Sequence, residues 1–158
     1  MGAWQPIDVI FDTGSDMLMV ESHDCWNCEG RGNSTGEVWN TTRDMIEENR
    51  DRRPSQRVYG EVFLKGYNWY DKVCLTLSKC VSNFTYFAIL EQTGIVEPVD
   101  GILGMSRNSE WRNSDPSAKG ERTIGPLFVE AMVEEGIIDD NIFTFAVDSS
   151  SDSRVYFG

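Results

Sequence analysis

Val9-Ile10-Phe11-Asp12-Thr13-Gly14-Ser15-Asp16 is the stretch on which the fold turns. Ile7, Val9 and Phe11 alternate with Asp8, Ile10 and Asp12. That period of two is the mark of a strand. Asp12-Thr13-Gly14 then reads as a turn. Met17 to Val20 is apolar again and reads as a second strand. The local picture is a carboxylate delivered to a tight turn by a hydrophobic strand.

Further along, residues 21 to 57 are polar and read as loop, with the charge-rich run Asp44 to Arg53 as a solvated surface segment. His23, the single histidine, falls in this loop, so Ser-His catalysis has little support. Val58 to Gly66 reads as a hairpin punctuated by Gly60 and Gly66. Tyr67, Trp69, Val73, Leu75 and Leu77 mark a long half-buried strand, and Phe84 to Leu90 another. Val99 to Gly104 is a short apolar stretch, and residues 106 to 122 read as a polar loop. Ile124, Leu127, Phe128, Ala131 and Met132 form a helix face, with Pro126 in the first turn and Gly136 at the C-terminal end. Ile142 to Val147 and Arg154 to Phe157 read as paired strands around a Ser/Asp turn, with the chain ending inside that hairpin. The class is mostly β with one clear helix, in a closed or sandwiched sheet.

The 158 residues make one domain's worth of chain, long enough for its own core. A formal net charge of -12 sets the surface against nucleic acid and anionic membranes. No apolar run is long enough for a transmembrane helix. Cys25 with Cys28, and Cys74 with Cys80, form two close pairs that read as local disulfides. A thioredoxin-like redox role for Cys25-Trp26-Asn27-Cys28 lacks the βαβ context it needs. Zinc lacks a credible ligand spacing. Sequons at Asn33, Asn40 and Asn83 join the cysteines in pointing to the secretory pathway, with an extracellular or lysosomal/vacuolar destination. Met1 to Pro6 shows no signal peptide, so a secretory protein of this kind would have its true N-terminus upstream.

The strand entering Asp12-Thr13-Gly14-Ser15 resembles the signature of the pepsin-like aspartic peptidases. Val58-Tyr59-Gly60 stands where that family has its flap, a hairpin that carries a tyrosine over the cleft. Asp100-Gly101-Ile102-Leu103-Gly104 is similar to the family's hydrophobic-hydrophobic-glycine element. Both elements follow at the family's distances, and the helix and the strand Phe143-Thr144-Phe145 follow in the family's order. The resemblance covers nearly the whole chain. It implies a half-barrel lobe spanning residues 1–158, the N-terminal lobe of a bilobal enzyme, clipped at both ends.

It also implies an aspartic endopeptidase without cofactor or metal, acting on an extended peptide or protein substrate. Two neighbouring carboxylates share one proton; one activates water and the other protonates the carbonyl oxygen. Asp12 would be one of the two, with the other in a C-terminal lobe of the same polypeptide, because no second Asp-Thr-Gly or Asp-Ser-Gly occurs here. Thr13 would buttress the loop, Gly14 would let backbone approach the carboxylate, and Ser15 would hydrogen-bond Asp12. Tyr59 and Gly60 would form the flap tip, and Ile10 and Ile102 would line substrate subsites. The two cysteine pairs would be structural. The chain departs from the family at Asp16, Met19 and Glu61-Val62; Met19 replaces a tryptophan that hydrogen-bonds the flap tyrosine. A peptide-binding relative without catalysis, or a homodimeric peptidase, are the alternatives.

Overall fold

A computed structural model describes residues 6–28, 54–94, 99–107, 127–149 and 152–158. Asn33, Asn40, the run 44–53, most of the loop 106–122, Ile124 and Pro126 lie outside them. The elements are β1 (Val9–Asp12), β2 (Leu18–Trp26), β3 (Ser55–Tyr59), β4 (Val62–Thr76), β5 (Lys79–Thr93), β6 (Gly101–Gly104), α1 (Phe128–Glu134), β7 (Phe143–Ala146) and β8 (Arg154–Phe157). Strands dominate, as the alternation required. A six-stranded sheet runs in the order β1-β6-β2-β5-β4-β3, and β7 pairs with β8 in a separate hairpin. The sheet curls into a half-barrel, the architecture that the resemblance implies.

β6 sits between the strands that flank the Asp12 turn. It runs parallel to β1, with Ile10 opposite Ile102 and Asp12 opposite Gly104, and antiparallel to β2. Residues some ninety positions apart thus share one ladder. Asp100 secures the entry to β6: it is 1% exposed, its Oδ2 accepts from the Asp8 N–H at 2.8 Å, and its carbonyl accepts from the Glu21 N–H at 2.9 Å. Both bonds fix packing and turn geometry at the entry to β6.

Alternation along β2 splits the core in two. Leu18 and Val20 join Trp69, Phe84, Met105 and α1 on one face, while Met17 and Met19 join Leu64, Phe87 and Ile89 on the other. α1 buries Phe128, Val129, Ala131 and Met132, with Phe128 edge-on to Phe84 at 5.2 Å. The helix ends at Gly136 (φ 66°), where the Ile137 N–H reaches the Met132 carbonyl and the Gly136 N–H the Val133 carbonyl. This is a Schellman stop, and it explains the glycine.

Several elements differ from expectation. β2 runs on to Trp26, so the backbone of His23 lies in a strand and not in a loop. Its parallel pairing with β5, not its composition, extends it. Gly66 is not a turn but a mid-strand position: a Cβ there would lie 2.0 Å from the Ala88 carbonyl oxygen. Leu77 is 81% exposed in the turn between β4 and β5.

Both cysteine pairs are disulfides, Cys25–Cys28 and Cys74–Cys80. The second bridges residues directly opposite each other at the end of the β4–β5 ladder. Among the described residues no helix is long and apolar enough to cross a membrane.

Candidate active site

Asp12 ends β1, and the chain reverses through Thr13 and Gly14 before β2 begins. Asp12 Oδ1 accepts a hydrogen bond from the Gly14 N–H at 2.9 Å. A Cβ on Gly14 would lie 3.2 Å from that same oxygen, so glycine leaves the carboxylate its place. The loop is fixed from the other side by the end of β6. The Met105 N–H donates to the Asp12 carbonyl at 2.7 Å, the Ser106 N–H to the Ser15 carbonyl at 2.8 Å, and the Gly104 N–H to the Met17 carbonyl at 2.9 Å. The approach is so close that a Cβ on Gly104 would lie 2.2 Å from the Met17 nitrogen.

The β3–β4 hairpin closes over this loop. Its two-residue turn is Gly60-Glu61, with Gly60 at φ 57° in the first position, as a type II′ turn requires. Tyr59 precedes the turn and packs against the cluster holding Met17, Met19 and Phe87. Its phenol is pushed up to about 12, chiefly by burial, then by the negative charges of Asp16 and Asp12 against the opposing effect of Arg57. Its O–H therefore stays protonated through the acid and neutral range. Arg57 is itself buried, with its guanidinium 5.2 Å above the Phe87 ring and Nη2 donating to Asn68 Oδ1 at 3.4 Å.

Between loop and hairpin lies a cavity of about 160 Å³. Of the residues expected at the site it brings together Asp12, Ser15, Tyr59 and Ile102. Ile10 is not part of its wall: it is 37% exposed, across the β1–β6 ladder from Ile102. Thr13 and Gly14 stand exposed at the loop tip, and Gly60 at the hairpin tip. The expected bond from Ser15 to Asp12 is not made. Ser15 Oγ is buried, lines the cavity and has no hydrogen-bond partner. Met19 lines the cavity with an apolar side chain that offers Tyr59 packing rather than a proton.

Sequence patterns alone do not single out Glu21 and Gln92. Both line the cavity and are buried, at 3% and 5% exposure. Glu21 continues the stripe Met17, Met19 by the same alternation that places Asp12, a signal that becomes readable once β2 extends past Val20. Gln92 holds the register position opposite Leu64, and its carbonyl accepts from Asn27 Nδ2 at 2.8 Å. That bond ties the Cys25–Cys28 turn to the cavity rim, with Asn27 in the left-handed region at φ 61°.

The four cysteines are committed to disulfides, and among the described residues no cluster of His, Cys, Asp and Glu could hold a metal. What the arrangement offers chemically is one carboxylate held by a backbone N–H beside a covered, largely apolar chamber.

Comparison with known proteins agrees with this geometry. The family model for eukaryotic aspartyl proteases matches residues 2–158. Plasmepsin IV from two isolates of Plasmodium falciparum is 28% identical over 147 residues in each case. The match covers 89% of this chain and 29% of each relative, so the chain corresponds to under a third of their length. The chain belongs to the eukaryotic aspartyl protease family.

Proposed function

We propose that this chain is the lobe of an aspartic endopeptidase that carries one of two catalytic aspartates, Asp12. The observation that carries the reading is the Asp12 carboxylate, held by the Gly14 N–H beside a cavity that the Tyr59 hairpin covers. In the reaction a water held between Asp12 and a second carboxylate attacks the scissile carbonyl carbon. The ionised partner takes the water's proton, and the protonated one donates to the carbonyl oxygen. The tetrahedral intermediate then collapses with proton transfer to the leaving amine. Thr13, Gly14 and Ser15 hold the loop. Tyr59 and Gly60 close over an extended peptide and exclude water, and Ile102 shapes a subsite. The second aspartate belongs to a C-terminal lobe of the same polypeptide, in keeping with the greater length of the relatives.

The paired cysteines and sequons support a secretory-pathway glycoprotein, extracellular or vacuolar. Asn83 is exposed on β5 and can carry a glycan there, whereas Thr85 of its sequon is buried. One observation favours a peptide-binding role without catalysis: Ser15 Oγ makes no bond to Asp12. The pH dependence of kcat/KM on a peptide substrate, measured on the polypeptide that includes the second aspartate-bearing lobe, separates the two. A bell-shaped acid profile that Asp12→Asn abolishes supports catalysis; peptide binding with no turnover in any buffer supports the second reading.

A further inference from the structure

β3 is the outer strand of the six-stranded sheet, with β4 as its one neighbour among the described residues. A strand held on one side alone is where a hairpin lifts away most easily. Arg57 is the one buried residue of β3, and it is also the strand's one charged residue. Its guanidinium lies 5.2 Å above the ring of Phe87 on β5. Nη1 donates to the Gln56 carbonyl on β3 at 2.9 Å, and Nη2 donates to Asn68 Oδ1 on β4 at 3.4 Å. A single planar group therefore touches three neighbouring strands. An apolar side chain would fill the same space with less loss of hydration. What the guanidinium adds is direction: a rigid fork of donors and a flat face that stacks. Tyr59 follows two residues later on the same face of the strand and packs against the core cluster that contains Phe87. The charge of Arg57 is felt at the Tyr59 phenol, where it opposes the effect of Asp16 and Asp12.

We propose that Arg57 is a positioning residue: it clamps the β3 arm of the hairpin to β4 and β5, and so holds Tyr59 over the Asp12 loop before a peptide arrives. The inference rests on the endopeptidase reading of the same site. Movement that admits a peptide is then confined to the tip at Gly60-Glu61, beyond the clamp. Without the clamp the whole hairpin is raised for part of the time, and only the fraction with Tyr59 in place is ready to bind. Apparent affinity falls by that fraction. A bound peptide holds the hairpin down, so the chemical step keeps its rate. An arginine that only guarded the sheet edge against pairing with other chains would act differently. Its loss would lower the amount of folded enzyme, and the measured kcat with it, at unchanged KM.

The test is Arg57→Met, which keeps an unbranched apolar stem, beside Arg57→Lys, which keeps the charge but not the fork. Both are made in the polypeptide that includes the second aspartate-bearing lobe. Peptide cleavage gives kcat and KM, and fluorescence anisotropy gives Kd for the same labelled peptide. Amide hydrogen exchange compares β3 with β7, which is remote from the clamp. For Arg57→Met the expected result is a KM and a Kd raised about tenfold or more, with kcat changed less than about threefold. Exchange in β3 quickens about tenfold while β7 is unchanged, and Arg57→Lys falls between. A fall in kcat at unchanged KM overturns the proposal, as does unchanged exchange in β3. If Arg57→Met does not fold, Arg57→Lys and the unaltered protein decide. In the unaltered protein β3 should exchange as slowly as β4, and exchange as fast as at Gly60-Glu61 overturns the clamp. Peptide binding without cleavage would refute the peptidase reading, and Kd and exchange would then judge the clamp alone. Cleavage with KM and β3 exchange unmoved by Arg57→Met would refute the clamp and leave the peptidase reading standing.

Discussion

Replacing Gly104 by alanine probes the joint on which the site depends. A methyl group there would lie 2.2 Å from the Met17 nitrogen and 2.7 Å from both the nitrogen and the carbonyl carbon of Asp16. All three are backbone atoms, so no side chain can swing away to make room. Overpacking of a filled site costs about 1–3 kcal/mol, and a backbone obstruction puts this case at the upper end. Separating the strands also strains the bond from the Gly104 N–H to the Met17 carbonyl, for about 1 kcal/mol more. The sum is about 3–4 kcal/mol, a large part of a typical domain's stability. For a chain of this size that lowers Tm by roughly 10 °C. Gly60→Ala is the control. Gly60 sits at φ 57° with nothing within 4 Å of a Cβ, so only left-handed strain of about 1–2 kcal/mol applies. Thermal and urea unfolding of both variants, followed by circular dichroism, measure the difference. A Gly104→Ala protein no less stable than Gly60→Ala would refute the close approach of β6 to the Asp12 loop.

Phe128→Ala removes a ring that is 2% exposed and packed edge-on against Phe84, and urea unfolding should show a loss of about 3–5 kcal/mol; a loss below about 1 kcal/mol would contradict the docking of α1 on the sheet. Tyr59 should make the fold sensitive to alkali. Its phenol titrates near 12 in the folded state against 10.0 for the free group, so the folded state holds the proton more tightly. The associated stability is fully present below pH 10 and is lost as pH rises through 12. It amounts to about 2 kcal/mol at most, partial exposure included. Tyr59→Phe should flatten the decline measured by urea unfolding between those limits, and an unchanged slope would refute the burial of Tyr59 under the hairpin.

What the sequence makes legible is whatever local pattern determines. The alternation around Asp12, the glycine at the hairpin tip, the apolar face of α1 and its Gly136 stop are all short-range signals, and the structure places each as expected, the helix face from Leu127 onward. The β1–β6 ladder can be inferred only from resemblance, since nothing near Asp12 specifies a partner at Gly104. Tertiary pairing also overrides composition at Glu21 and Ser22, polar residues that read as loop yet are buried in β2. Gly66 reads as a turn but lies in mid-strand, because glycine signals a close backbone approach as well as a reversal. The orientation of Ser15 Oγ is a side-chain torsion, and no sequence pattern reports it.

The central claim is that Asp12 is one half of a catalytic pair whose other half lies outside these residues. Peptide cleavage at acid pH by the 158-residue chain, measured across protein concentration beside Asp12→Asn, addresses it directly. The account predicts no turnover from this chain alone, and turnover that depends on Asp12 in the polypeptide that includes a second aspartate-bearing lobe. Activity of the isolated chain that rises steeply with concentration and disappears in Asp12→Asn would contradict it, because two copies would then be building the pair.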